Sequence, residues 1–266
     1  MKYCILKSPT YVGIGKALVK AFVKYKACKV YALSKTKENL DKLVSEEPTV
    51  IPIVVDLKDW EATKNALQCV QDPIDILCNN AGTNILEPLL EVKPESIDSL
   101  FNVNFKSIIC VSQVVAQKMI ENKRGGVIIN ASSQASKIAF QDHAVYSATK
   151  AAVDAATRAM ALELGKFNIR VVATNPTVVM TELGKAAWSN PKKARPVLDR
   201  IPLHRFAGNY NFIAKAINKY EKLIKSDYLM ILEIEDVVNT IIFLASEKAG
   251  MINGANVPIE GGILAT

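Results

Sequence analysis

Short runs of β-branched and aliphatic residues alternate with longer amphipathic segments along most of this chain, and that rhythm limits the fold more than any other feature. Strands are expected at 29–33, 50–55, 74–78, 126–130 and 169–173, with a further one before residue 8. Each is nearly continuous in apolar residues, as suits a strand covered on both faces. Helical patterns separate them, at about 14–26, 37–46, 58–70, 94–121, 145–165 and 234–246. Strand-helix alternation builds right-handed crossover units, hence an α/β fold with a doubly wound parallel sheet and helices on both faces. No Pro/Gly/Ser-rich linker and no internal repeat divides the 266 residues, so a single domain is expected.

Composition excludes several function classes. The five cysteines are scattered and form no CxxC pair, so reduced thiols are expected and no metal site. The formal charge of +7 comes from lysines spread over many helical segments, with no short basic block interleaved with aromatics. Solvated lysines explain that better than a nucleic-acid partner. No stretch approaches the roughly 20 apolar residues of a membrane span, and the N-terminal residues lack the apolar core of a secretory signal. A cytoplasmic protein is expected.

In a doubly wound sheet, ligands sit beyond the carboxyl ends of the strands. The first such place holds Gly13-Ile14-Gly15 at the start of a helix, where glycines let a backbone approach a pyrophosphate. A structural turn explains this pair about as well. The second holds Ser34-Lys35-Thr36, with no carboxylate for a ribose 2′-hydroxyl and a cation suited to a 2′-phosphate. That favours NADPH, although an ordinary helix-capping turn has the same residues. Asp56-Leu57, Asn79-Asn80-Ala81-Gly82 and Ala131-Ser132-Ser133 follow the next three strands. Tyr146 and Lys150 are four residues apart, on one face of a helix. A nearby ammonium favours a phenolate, so Lys150 is expected to lower the pKa of Tyr146.

Asn79-Asn80-Ala81-Gly82, Asn104, Ser133, Tyr146-x-x-x-Lys150 and Asn175-Pro176, in this order and spacing, resemble the short-chain dehydrogenase/reductase family. The resemblance spans nearly the whole chain. It is strongest to the dicarbonyl/L-xylulose reductase branch, on Ser34-Lys35-Thr36, the segment 56–63, Ser132-Ser133-Gln134, the segments 160–165 and 175–181, Trp188 and Gly250-Met251. It implies a Rossmann-like fold and NADPH-dependent reduction of an α-dicarbonyl or a keto-sugar, such as L-xylulose to xylitol.

The resemblance also implies roles. Tyr146 gives a proton to the developing alkoxide. Lys150 supports Tyr146 and binds the nicotinamide ribose. Ser133 hydrogen-bonds the substrate carbonyl, and Asn104 helps hold a water that relays protons to Lys150. Asp56 and Leu57 face the adenine. Gly13, Ile14, Gly15, Asn80, Ala81, Gly82 and Pro176 border the cofactor, and Val179 and Thr181 reach the nicotinamide amide. Gln134, His143 and Trp188 match substrate-pocket positions, with a surface-loop histidine as the plainer reading of His143. Ala151, Ala152, Ala155, Ala156 and Ala159 form a flat helix face, expected as the contact of a homo-oligomer, a dimer or tetramer.

Two segments depart from the family pattern. Family members usually have Thr-Gly where this chain has Ser8-Pro9. Pro9 fixes φ and lacks an N–H, Tyr11 is bulky, and Val12 replaces a basic residue. The alternative to an active reductase is therefore a cofactor-impaired relative kept for binding or assembly. The second departure is 208–232, which interrupts the match between Ala207 and Glu233. Ile213, Ile217, Tyr220 and Ile224 recur there at helical spacing, as in an inserted lid or docking helix. Translated noncoding sequence is the alternative, and it accounts for both misfits at once.

Overall fold

The structure is a computed structural model and describes residues 3–7, 13–179, 181, 191–203 and 234–266. The departures at Ser8-Pro9, Tyr11, Val12 and 208–232, and the proposed pocket residue Trp188, lie outside the described residues.

Seven parallel strands form one sheet: β1 Tyr3–Lys7, β2 Lys29–Ser34, β3 Val50–Val54, β4 Ile76–Asn79, β5 Gly126–Ala131, β6 Ile169–Pro176 and β7 Asn256–Ile259. Their order is β3-β2-β1-β4-β5-β6-β7. Progress along the sheet reverses between β1 and β4, which opens a crevice at their carboxyl ends. The two outer strands each carry a proline, Pro52 and Pro258. A residue without an N–H is tolerated at an edge, where one side of the strand has no ladder to complete.

Helices α1 Gly13–Lys24, α2 Lys37–Glu46, α3 Trp60–Gln68, α4 Pro94–Phe101, α5 Ser107–Glu121, α6 Ala144–Leu164, α7 Pro191–Leu198 and α8 Ile234–Ala245 complete the described framework. Adjacent strand residues feed opposite faces, as the pleat requires. Cys4, Ile76, Val127 and Val172 face a core with Leu18 and Phe22 of α1 and Ile241 of α8. Their neighbours Ile5, Leu77, Ile128 and Val171 face a second core with Leu67 of α3 and Val111, Val115 and Met119 of α5.

The expected helix over 94–121 is not continuous. A π turn, Asn102–Lys106, separates α4 from α5. By length and hydropathy the run Pro94–Glu121 meets a membrane-span test, but half of that window is buried inside the fold. The helix α7 and the strand β7 were not anticipated. Pro191 and Pro196 obscure the first, and four residues containing a proline give too short a signal for the second.

Candidate active site

The site is assembled from the ends of β4, β5 and β6 and the first two turns of α6. β5 delivers Ser132 and Ser133, and the latter starts a single 3₁₀ turn, Gln134–Ser136, with its hydroxyl accepting from Ala135 N at 3.1 Å. α6 begins at Ala144, so Tyr146 stands in its first turn and Lys150 one turn further in. Lys150 is 3% exposed, and its Nζ donates to Ala131 O at 2.8 Å. The same Nζ lies 5.6 Å from the centroid of the Tyr146 ring.

Burial sets the electrostatics here. It pulls Lys150 down to about 8, against the opposing charge of Asp154. It also raises Tyr146 above 10, while a hydrogen bond with Ser133 acts in the other direction. The expectation that Lys150 lowers Tyr146 is thus not met. The ammonium is tied to Ala131 O, and loss of hydration around the phenol outweighs the hydrogen bond with Ser133.

Asn104 is fully buried in the π turn, behind this pair. Its Oδ1 accepts from Thr83 N at 2.8 Å, and its Nδ2 donates to Thr83 O at 2.9 Å and to Thr149 Oγ1 at 3.1 Å. The side chain thus clamps the segment after β4, and both its amide protons and an oxygen lone pair are occupied. A π turn is a frequent device at functional sites because it frees backbone groups from the helical ladder. Beside it, a β-carbon on Gly82 would come within 3.4 Å of Lys150 Nζ and 3.5 Å of Asn104 Oδ1.

Two hollows meet at Gly82. One is lined by Ile14, Asn80, Ser133, Gln134, Tyr146 and Lys150, and also by His143, Pro176, Val179 and Thr181. The other is lined by Ser34, Lys35, Asp56, Leu57 and Ala81. Gly82 borders both, so the two hollows adjoin at the sheet's crevice. Gly13, in the left-handed region at φ +64, packs against Thr181, where a β-carbon would be 2.7 Å from Cγ2. Gly15 is in the first turn of α1 and Thr36 is the N-cap of α2; neither lines the two hollows.

His143 is 7% exposed, not a surface-loop residue. Its ring makes an edge contact with Tyr146 at 6.0 Å, and Nδ1 lies 2.6 Å from Gln141 O. Asn84, Phe140 and Thr177, which no motif in the sequence marks, also line the first hollow. The side-chain oxygens of Asn84, Gln134 and Thr177 are buried without a hydrogen-bond partner. Buried polar atoms are normally satisfied, so these point to a polar ligand. Together with a glycine-cleared crevice, they fit a dinucleotide and a small oxygenated substrate.

A family model described as short chain dehydrogenase matches residues 10–192. The chain is 48% identical over 254 residues to an L-xylulose reductase of Mus musculus, covering 96% of this chain and 93% of that one. It is 39% identical over 254 residues to carbonyl reductase [NADPH] 2 of Sus scrofa, again covering 96% and 93%. Among solved structures, a 4-hydroxyisoleucine dehydrogenase complexed with NADH superposes with a TM-score of 0.84 at 28% identity, with both chains fully covered.

Proposed function

The chain belongs to the short-chain dehydrogenase/reductase family, and from that premise we propose that it uses NADPH to reduce a keto-sugar such as L-xylulose, giving xylitol, or an α-dicarbonyl. Oxidoreductase chemistry dependent on a nicotinamide cofactor follows from the family and its carbonyl-reducing relatives. The observation that carries the finer reading is the convergence of Ser133, Tyr146 and Lys150 on a hollow with unsatisfied buried oxygens. Unpaired acceptors at Gln134 and Asn84 suit a substrate with hydroxyl groups beside its carbonyl.

Asp56 and Leu57 would hold the adenine end, Ser34, Lys35 and Thr36 a 2′-phosphate, and Gly13, Ile14, Gly15, Asn80, Ala81, Gly82 and Pro176 the middle. Val179 and Thr181 would meet the carboxamide, and Lys150 with Tyr146 the nicotinamide ribose. Bound there, the reduced nicotinamide supplies a hydride to the carbonyl carbon. Ser133 Oγ and Tyr146 Oη donate to the carbonyl oxygen, where negative charge develops. Tyr146 Oη then gives up its proton to that oxygen, which completes the alcohol. Lys150 Nζ supports the phenolate left behind. Asn104, with its side chain committed to Thr83 and Thr149, would help hold a relay water beside Lys150.

Two further features belong to this reading. The outer face of α6 exposes Ala151, Ala155, Ala159 and Leu162, the last 85% exposed, which suits a homo-oligomer. Five scattered cysteines with no CxxC pair suit the reducing cytoplasm. An NADPH titration of the purified chain, followed by diacetyl and L-xylulose reduction assays, tests the proposal. Saturable NADPH binding with xylitol as product supports it. Tight NADPH binding without turnover of either substrate would reject it, and failure to bind NADPH would favour the cofactor-impaired alternative.

A further inference from the structure

One carboxylate near the site is unaccounted for by the chemistry above. Asp154 lies on α6, four residues after Lys150 and so on the same helix face, and is 2% exposed. A buried carboxylate is costly unless charge and hydrogen bonds compensate it. Here Ser136 Oγ donates to Oδ2 at 2.7 Å, Asn175 Nδ2 lies 3.1 Å from each oxygen, and Lys137 Nζ is 3.1 Å from Oδ2. The same donors reach Ser133. Ser136 Oγ lies 2.8 Å from Ser133 O, and Asn175 Nδ2 lies 3.1 Å from it. Asn175 Nδ2 also lies 3.2 Å from Ser132 Oγ, which itself donates to Lys150 O.

We infer that Asp154 is a positioning residue of this site: through Ser136 and Asn175 it fixes the turn that presents Ser133, and its charge backs the Lys150 ammonium from one helical turn away. This rests on the roles proposed above for Ser133 and Lys150. Among the described residues no other carboxylate takes the place of that charge. On α6 the other titratable neighbours of Lys150 are Tyr146 and, at the N-cap, His143. β5 has no ionisable side chain. Arg170 on β6 is tied to the carbonyls of Leu244, Ser246 and Ile252. Lys106 of the π turn and Glu95 and Asp98 of α4 are exposed. Lys137 is the opposing cation: 39% exposed, it partly neutralises Asp154 from the side away from Lys150's helix.

The inference predicts opposite responses from two substitutions. In Asp154→Asn the Lys150 ammonium loses its counter-charge and should give up its proton about one pH unit lower. In Lys137→Ala the carboxylate is less compensated, so Lys150 should hold its proton to a higher pH, by a smaller step because Lys137 is solvated. Ser136→Ala keeps both charges and loosens the turn. It should leave the Lys150 titration unmoved and lower kcat for the carbonyl substrate by about three- to tenfold, since fixed donor geometry is worth roughly that much.

The measurement is competitive acetylation of the free, full-length protein across pH, with the Lys150 peptide quantified by mass spectrometry, alongside steady-state kinetics and a thermal melt. Opposite shifts in the Asp154 and Lys137 variants, with Ser136→Ala lowering kcat alone, establish the role. Shifts of the same sign, or none, overturn it. If Asp154→Asn does not fold, the Lys137 and Ser136 variants still decide. If the wild type reduces no carbonyl, the proposed function fails, while the acetylation arm still reads whether Asp154 holds the Lys150 charge.

Discussion

Lys35 and Lys150 line two adjoining hollows and carry the same charge, yet the fold gives them different surroundings. Lys150 is enclosed by β5 and α6, tied to Ala131 O and held near a half-buried phenol. Lys35 is exposed at the lip of the adenosine-side hollow. A charge in a water-poor pocket acts at close to full strength, whereas an exposed one is screened within about 8–10 Å by salt. On the proposed reading the buried lysine therefore serves chemistry and the exposed one serves choice of nucleotide. A residue that must act in the transition state is locked by its neighbours, and one that only biases binding is left on the surface.

That contrast can be broken or sharpened by substitution. The largest effect should come at the buried end. Tyr146→Phe keeps the ring and removes the transferable proton, so kcat should fall by about 10²–10⁴-fold while NADPH binding holds. Single-turnover kinetics with a parallel NADPH titration checks this, and near-normal turnover at saturating cofactor would take Tyr146 out of the mechanism. Next is pH. Lys150 is pulled down to about 8, so its ammonium is present below that value and lost as pH rises through it. A pH profile of kcat/KM should accordingly decline on the alkaline side near there. A flat profile well beyond it would separate Lys150 from turnover.

At the exposed end effects should be smaller. Lys35→Ala should weaken NADPH about tenfold, the lower part of the range for a charge-assisted hydrogen bond, and leave NADH affinity unchanged. The wild-type preference should also shrink as salt is raised, and equal affinity for both cofactors in low salt would contradict the reading. The smallest effect is expected from deleting 208–232, which should leave folding intact and turnover equal or higher, since surface insertions cost little loop entropy. A deletion protein that folds and binds NADPH but loses turnover would place the segment in the working site.

The sheet was legible because buried parallel strands write themselves as unbroken apolar runs, and five of them were located close to their observed bounds. The π turn was not, because Asn102–Lys106 carries no Gly or Pro to mark a break in the helix. Tyr146, Lys150, Ser133 and Asn104 were found through spacing and family likeness, and the structure brings them together. The acidity of Tyr146 was misjudged because spacing reports a neighbour and not the loss of water around it. Asp154 escaped notice because a carboxylate on a helix reads as a solvated face. Only the packing of Ser136, Lys137 and Asn175 around it reveals otherwise. For His143 a loop reading stood beside the pocket one for the same reason: burial against Phe140 and Tyr146 has no local sequence signal.

The most direct test of this division of labour is kcat/KM for L-xylulose reduction, measured with NADPH and with NADH, in the wild type, Tyr146→Phe and Lys35→Ala. The account predicts that Tyr146→Phe depresses the reaction with both cofactors by the same factor, and that Lys35→Ala depresses it with NADPH alone. A Lys35 variant that loses activity equally with both cofactors, or a Tyr146 variant that retains it with either, would contradict the account.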